Sequence, residues 1–441
     1  MEGINEHMML AGGILVGAYI LIFSERMHRT IAGLLGAVIM VGAGEMGGFY
    51  TQEEALGAVD GNTMLLLLGM MLLVALLRPT GGFEYMAIRI AKLAANDARR
   101  LLVYLSLAVS VLSMFLDNVT TVIIFAPLTV LITRMLEYNP APFLMAEAML
   151  SNVGGAATLV GDPPNIMIGS AAAFDFTAFL LHMGPVIGPV WLGTVATLLF
   201  LFRHELRPQP GAERIIDLNE SKAIRDPSAL RHVLGAMAVV IVLFFVHHHF
   251  HLYPAYVAFV GLVIALALIR PEPEDLLKEV EWPVLLFFAA LFVIVGGVEA
   301  SGLLDLVGER LAHLAAEPGM MLVAALVLMW VAAVLSAVVD NIPFTVTMIP
   351  IVAGLQTQGL DVAPLWWALA IGVGLGGNGS HIGATANIIC VAEAERSGLP
   401  EARISAVRWL KVGLPTMLFS LLIASLMFVL LFEPLFAGVD L

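Results

Sequence analysis

Long apolar runs separated by short polar breaks set the pattern of this chain. A helix that crosses a bilayer needs ~20 mostly apolar residues. Ten stretches meet that need, beginning near Met9, Thr30, Asn62, Phe143, Phe179, His232, Leu252, Trp282, Leu365 and Trp409. Two further apolar regions, 101–134 and 319–356, are interrupted midway by Asp-Asn and read as helical hairpins that enter the membrane and turn back. The stretches 143–173 and 364–394 carry Gly, Pro or Asn at their centres and read as broken helices. Such breaks free backbone N–H and C=O groups, which a membrane tolerates only where protein or water satisfies them. The amphipathic segments 79–93 and 301–315 read as interfacial helices.

The pattern occurs twice, at an offset of about 220 residues. Residues 65–95 resemble 285–315. Asp117-Asn118-Val119 with Pro127 resembles Asp340-Asn341-Ile342 with Pro350, and the glycine-rich run from Gly154 to Asn165 resembles that from Gly376 to Asn387. Each half then holds five spans and one hairpin. Five is odd, so the second half enters the membrane from the opposite side. The expected fold is an all-α integral membrane protein of two inverted-topology repeats, each with five transmembrane spans plus one re-entrant helical hairpin, with discontinuous helices at the centre. The first repeat covers 1–203, a cytoplasmic linker 204–231 and the second repeat 232–441. Inverted repeats with broken helices mark secondary transporters, with the site at the repeat interface near the midplane.

Composition agrees. Sixty per cent of residues are hydrophobic, 13% are charged and the mean hydropathy is +0.95. The net charge of −14 argues against nucleic acid, which needs clustered Lys and Arg. Cys390 is the only cysteine, which excludes an intramolecular disulfide and a multi-thiol metal site; no cofactor or metal is expected. The first eight residues lack Lys and Arg, unlike the basic start of a cleaved signal peptide, so the first apolar stretch reads as a permanent helix. Basic residues cluster in alternate loops: Arg26 and Arg29, then 89–100, 203–231 and 396–411. All are cytoplasmic if both termini are outside, in a bacterial inner membrane.

The chemistry lies in four polar segments at membrane depth: the two hairpin tips and the two helix breaks. A carboxylate at the bilayer centre costs ~2.5–3.5 kcal/mol on insertion scales, so Asp117 and Asp340, at equivalent positions, ask for a compensating role. Together with Asp162 and His381 they are the candidates for proton or cation coupling. Asp162 has Ala384 as its repeat mate, and His381 has Leu159. The candidate solute-binding residues are Asn118, Thr120, Thr121, Asn165, Asn341, Asn378, Ser380, Thr385 and Asn387. The structural alternatives are interhelical hydrogen bonds for the asparagines and helix caps for the aspartates. The run His247-His248-His249-Phe250-His251 reads as a polar interfacial turn. None of the four segments contains Lys or Arg, which favours a neutral or small solute.

Ser151-Asn152-Val153-Gly154-Gly155-Ala156-Ala157-Thr158 running into Gly161-Asp162-Pro163-Pro164-Asn165, and Asp340-Asn341-Ile342-Pro343 with Gly383-Ala384-Thr385-Ala386-Asn387, resemble the ion transporter superfamily, in its ArsB and melanosomal P protein branch. The resemblance implies a scaffold and a transport domain in each half, with elevator-like movement. It implies an arsenite or antimonite efflux permease coupled to proton antiport. Arsenite is an uncharged trihydroxide at neutral pH and asks for hydrogen-bonding groups only. Membrane lipid, a cytoplasmic ATPase subunit and a second copy of the chain are candidate partners. A sodium–proton antiporter or small-anion carrier of the same fold is the alternative. Dicarboxylate-carrying relatives have Ser-Asn-Thr at both hairpin tips, where this chain has Asp-Asn-Val and Asp-Asn-Ile. An alternative of another class is an intramembrane aspartyl protease using Asp117 and Asp340, although the chain lacks a Gly-x-Gly-Asp motif.

Overall fold

Helix starts are written into the chain as caps. Asp60, Asp97, Asp175, Asp226 and Ser405 each precede an apolar run, and each side chain accepts a hydrogen bond from a first-turn N–H. The computed structural model describes residues 5–24, 26–94, 97–206, 220–304, 319–357 and 359–436, together with 306, 308 and 317. Among these no strand occurs. The first half holds α1 (Glu6–Phe23), α2 (Arg29–Gly47), the short α3 (Gln52–Gly57), α4 (Gly61–Leu77), α5 (Gly82–Leu93), α6 (Ala98–Ser113), α7 (Asn118–Met135), α8 (Ala141–Gly155), α9 (Pro163–Ala171) and α10 (Phe176–Leu201). The second holds α11 (Pro227–Val246), α12 (Pro254–Ile269), the short α13 (Pro273–Lys278), α14 (Trp282–Ala300), α15 (Met321–Val338), α16 (Asn341–Thr357), α17 (Ala363–Gly376), α18 (Thr385–Arg396) and α19 (Ala406–Leu430).

Apart from α5, the two series match element for element, with α6–α7 and α15–α16 as the hairpins and α8–α9 and α17–α18 as the broken helices. Among the described residues eight helices are long and apolar enough to cross a membrane, and α1 and α12 are shorter apolar helices. The broken pairs fall below the length threshold because each is interrupted, as the Gly and Pro content implies. The first interfacial segment forms α5; most of its expected partner, 301–315, lies outside the described residues, as does 207–219 of the linker. Where the linker resumes, Glu220 meets Lys92 at 2.5 Å and Arg89 at 3.4 Å on α5. The hydrogen bond from Lys92 holds the Glu220 carboxyl at about 2, below the usual carboxylate range.

Packing divides the helices into a core and two flanking bundles. In the core α6 lies along α8, α15 along α17, and α10 along α19. The second arm of each hairpin crosses to the other repeat, α7 onto α18 and α16 onto α9. One flanking bundle joins α1 and α2 to α14, and the other joins α11 and α12 to α4. Each bundle therefore mixes the repeats.

Glycine permits the tightest core contacts. A Cβ on Gly154 would run into the Ser110 backbone, and one on its mate Gly376 into the Ala333 backbone. The same requirement recurring in both halves sets how closely each hairpin approaches its broken helix. Gly376→Ala, and more so Gly376→Val, is expected to cost several kcal/mol, within the range of overpacked cores at ~1–3 kcal/mol and above. The check is the yield and thermal midpoint of the detergent-purified protein; an unchanged midpoint for Gly376→Val would show that the helices separate freely.

Candidate functional site

The hairpin tips and helix breaks meet at the centre. Asp117 has φ +52° and ψ 152°, a region that non-glycine residues rarely occupy. Its strain is held by two contacts. The Asp117 carboxylate accepts the Thr120 N–H at 2.8 Å, and the Asn118 N–H donates to the Gly161 carbonyl at 3.1 Å. The first residues of α7, α9, α16 and α18 are thereby drawn to one place. Asp162, the residue before α9, accepts from Asn118 Nδ2 at 3.3 Å on one oxygen and from Asn341 Nδ2 at 3.4 Å on the other. Asp340, preceding α16, accepts from Thr385 Oγ1 of α18 at 3.2 Å. Four helix N-termini thus face one polar centre, an arrangement that favours negative charge.

The carbonyls freed at the breaks are handled in the same way in each repeat. Asn165 Nδ2 donates to the Gly155 and Thr158 carbonyls, and Asn387 Nδ2 to those of Gly377 and Ser380. Thr158 Oγ1 donates to the Met114 carbonyl and Ser380 Oγ to the equivalent Ala337 carbonyl. Asn165, Asn387 and Ser380 therefore shape the breaks. Thr121 Oγ1 donates to the Asp117 carbonyl at 2.7 Å, within its own helix. His381 is half-buried, and no hydrogen bond joins it to the cluster among the described residues.

Two residues that the sequence reading passed over, Asn152 and Arg29, take part, and a third, Glu147, is a buried acid bonded to Thr129 of α7. Asn152, 1% exposed, accepts from Asn118 at 3.0 Å and donates to Asn378 at 2.9 Å and Asn387 at 3.1 Å, so one side chain ties the hairpin tip of the first repeat to the helix break of the second. Its motif was visible; its reach was not. Arg29, read only as an orientation marker, comes from the start of α2 and donates from Nη1 to Thr385 Oγ1 at 2.8 Å and Asp340 Oδ2 at 3.4 Å. The absence of Lys and Arg from the four segments thus does not make the site free of cations. Glu147, an acid inside an apolar run, is fully buried; one oxygen accepts from the Thr129 hydroxyl and the other has no protein partner.

Asp117, Asn118, Asp162, Asp340 and Asn341 are all buried, and the carboxylates of Asp117 and Asp340 lie close enough to act electrostatically on Asp162. Among the described residues no hydrogen bond links Asp117 to Asp340; each is tied to its own surroundings, Asp117 to Thr120 and Asp340 to Arg29 and Thr385. No group of three metal-ligating side chains occurs among the described residues. The Asn118 and Asn165 Oδ1 oxygens are buried without a protein donor.

A cavity of about 870 Å³ reaches this centre from one face, lined by α7 and α18 and ending at Asp340 and Thr385. A cavity of about 250 Å³ lies at the equivalent pair of elements, α16 and α9, in which the roles of the two repeats are exchanged. Two inverted repeats, broken helices meeting at a buried polar centre and a cavity leading to it define a secondary transporter of the ion transporter superfamily. The chain belongs to the CitMHS family, described as citrate transporters, whose profile matches residues 19–372. It is 38% identical over 427 residues to a 46 kDa membrane protein of Mycobacterium leprae, covering 95% of this chain and 97% of that one. It is 40% identical over 400 residues to an uncharacterized transporter of Mycobacterium tuberculosis, covering 89% and 92%. The human P protein is 32% identical over 95% of this chain, which spans 59% of that protein's length. The crystal structure of the Alcanivorax borkumensis YdaH transporter shares the fold, with a TM-score of 0.59 at 14% identity, covering 97% of this chain and 98% of that one.

Proposed function

We propose that this chain moves a small anion, a carboxylate or an oxyanion, by alternating access between the two cavities, and that Asp162 couples the movement to protons. The observation that carries this reading is the charge balance at the centre. Three buried carboxylates, Asp117, Asp162 and Asp340, share this centre, and the one guanidinium that reaches it, Arg29, pairs with Asp340. Buried charges demand partners, so the excess must be met by bound protons or cations. Arg29 and four helix N-termini supply the complement for an anionic solute. The larger cavity ends at Arg29, Asp340 and Thr385, and its symmetry counterpart, between α16 and α9, is smaller, as a carrier open to one side requires. With the basic loops cytoplasmic, in a bacterial inner membrane, the open side is the inside. Citrate is the first solute to test, in liposomes with an imposed pH gradient. Gradient-dependent uptake supports the reading; uptake that ignores the gradient removes Asp162 from coupling.

Arsenite and antimonite exchange retains support from the amides of Asn118, Asn341 and Asn378, which suit a neutral trihydroxide. Arg29 weakens it, because such a solute needs no countercharge. Restored metalloid resistance in an efflux-deficient bacterium would favour it over the anion. Sodium in place of protons is supported by the unpartnered Oδ1 oxygens of Asn118 and Asn165, acceptors that a small cation would satisfy.

Asn118→Ala and Asn341→Ala are each expected to abolish transport, with a loss of about a hundredfold or more and little loss of folded protein. Each removes one of the two amides that hold Asp162 between the tips. A hydrogen bond to a charged group contributes ~1.5–3 kcal/mol. Normal uptake by both variants at normal expression would return these residues to interhelical packing.

A further inference from the structure

Glu147 stands apart from the polar centre. It lies on α8, ~7.5 Å along the axis from Asn152 at ~1.5 Å per residue. α8 begins beside the basic loops, where Asn139 and Arg408 both meet Glu205, and the larger cavity opens among Arg26 and Arg396 of the same loops. At the repeat offset Glu147 corresponds to Leu369, and its partner Thr129 to Val352, both fully buried. The fold thus fills this place with two aliphatic side chains in one half and with an acid and a hydroxyl in the other. Packing alone does not ask for the acid. Thr129 Oγ1 donates to one carboxyl oxygen, and the other has no protein partner. Of the helices packed on α8, namely α6, α7, α10, α17 and α18, none supplies a cation to it among the described residues. The titratable neighbour is Cys390 of α18, on which Glu147 acts electrostatically; Glu393, one turn further along α18, acts on the same thiol and lines the larger cavity. A fully buried carboxylate without a countercharge costs far more than a neutral acid with one unmet hydrogen bond, so the acid holds a proton here.

We propose that Glu147 is a second proton site of the carrier, loaded while α7 and α18 are closed against α8, as here, and exchanging its proton with the larger cavity when they part. This rests on the proton-coupled reading above and adds one proton to what Asp162 carries. Thr129 suits the task, because a hydroxyl donates to the carboxylate and turns to accept from the acid. Valine, at the mated position, does neither. α7 and α18 line the cavity and both pack on α8, so Glu147 lies one helix layer behind the cavity wall. Pro127, two residues before Thr129, leaves α7 short of one ladder hydrogen bond and frees the carbonyl of Ile123, which lines the cavity. Helices bend most readily at such points. A bend there draws the hydroxyl away from Glu147 and admits water. The proton leaves to that water as hydronium and returns by the same route, and no other bond changes.

The first test needs no cargo. Infrared difference spectra of the reconstituted protein at neutral pH, parent against Glu147→Gln, are expected to show a protonated-carboxyl band that the variant lacks. The band should shift on transfer to deuterated water while the protein stays folded. Absence of the band, which would leave the acid ionised, or a band that deuterated water does not move, which would leave the proton trapped, overturns the proposal. The second test reads coupling in liposomes with citrate. With the membrane potential clamped at zero, each coupled proton multiplies the equilibrium accumulation by the proton gradient. Glu147→Gln should therefore accumulate about tenfold less than the parent at a gradient of about one pH unit, with counterflow at equal pH retained. Accumulation equal to the parent's, or loss of counterflow along with accumulation, overturns it. Glu147→Leu with Thr129→Val copies the mated pair Leu369 and Val352. It should keep the parent's thermal midpoint and show the same fall in accumulation, and it takes over should Glu147→Gln fold poorly. A midpoint well below the parent's in both variants makes the pair structural and also overturns the proposal. If the parent itself moves no citrate, the cargo reading fails and the infrared band alone decides Glu147.

Discussion

Asp162→Asn is expected to abolish uptake driven by a pH gradient, by about a hundredfold or more, while solute counterflow at equal pH survives at a reduced rate. The side chain keeps its shape and cannot titrate. It also changes the hydrogen bonding. The carboxylate accepts from two amide nitrogens, Asn118 Nδ2 and Asn341 Nδ2, one on each oxygen. An amide at 162 has one acceptor, so one of the tips must let go or turn over. Asn118 cannot turn freely, because its Nδ2 also donates to Asn152. Each tenfold in rate corresponds to about 1.4 kcal/mol, and losing one charge-assisted bond at ~1.5–3 kcal/mol accounts for part of the loss. Asp117→Asn and Asp340→Asn are the comparators. If Asp162→Asn responds to the gradient as the parent does while one of these does not, coupling belongs to the hairpin caps.

Arg29→Ala should lower transport of an anionic solute about a hundredfold, and Arg29→Lys about tenfold, because lysine keeps the charge but not the guanidinium, whose Nη1 donates to both Asp340 and Thr385 and whose remaining N–H groups are left for the solute. Removing one member of a fully buried pair costs ~3–5 kcal/mol when the other is left charged, and less here because the Arg29 side chain is 25% exposed. Arg29→Ala with Asp340→Asn should therefore fold better than Arg29→Ala alone. The measurement is uptake together with the thermal midpoint of each variant. A fall in midpoint with normal uptake would make the ion pair a clamp between the α1–α2–α14 bundle and the second hairpin. Tyr19 reaches the same hairpin, donating to the Pro343 carbonyl at 2.8 Å, so the clamp would not be undone by one substitution.

The sequence showed where polar groups enter the membrane and stayed silent on which of them meet. An Asp-Asn pair inside an apolar run is a local signal, so both hairpin tips were legible. Pro163-Pro164 and the glycines marked the breaks for the same reason. Repeat symmetry drew attention to Asp117 and Asp340, yet the residue that bridges the tips is Asp162, whose mate is Ala384. A pseudo-twofold centre has room for one side chain on its axis, so the residue there need not be duplicated. Arg29 was invisible because its reach depends on α2 lying against α14 and the second hairpin, a contact between residues more than three hundred apart. The cargo stayed open for a related reason: the positive charge at the site comes from the start of α2, outside the segments that carry the motif.

The exchange of helices between the flanking bundles bears on synthesis. α1 and α2 leave the ribosome first, but the helix that closes their bundle, α14, begins at Trp282. At ~5–20 residues per second the chain grows for many seconds before that partner exists. Gly33 and Gly36 on α2, which later pack against Phe287 and Ile294, must wait in lipid or against insertion machinery in the meantime. The first half is thus no autonomous folding unit, and the order of assembly runs from the centre outward: the α6–α8 contacts close early, whereas both bundles close only when the second half arrives. Any internal duplication of a free-standing ancestor would have needed two copies from the outset, an antiparallel pair whose bundles were completed between molecules before they were completed within one chain.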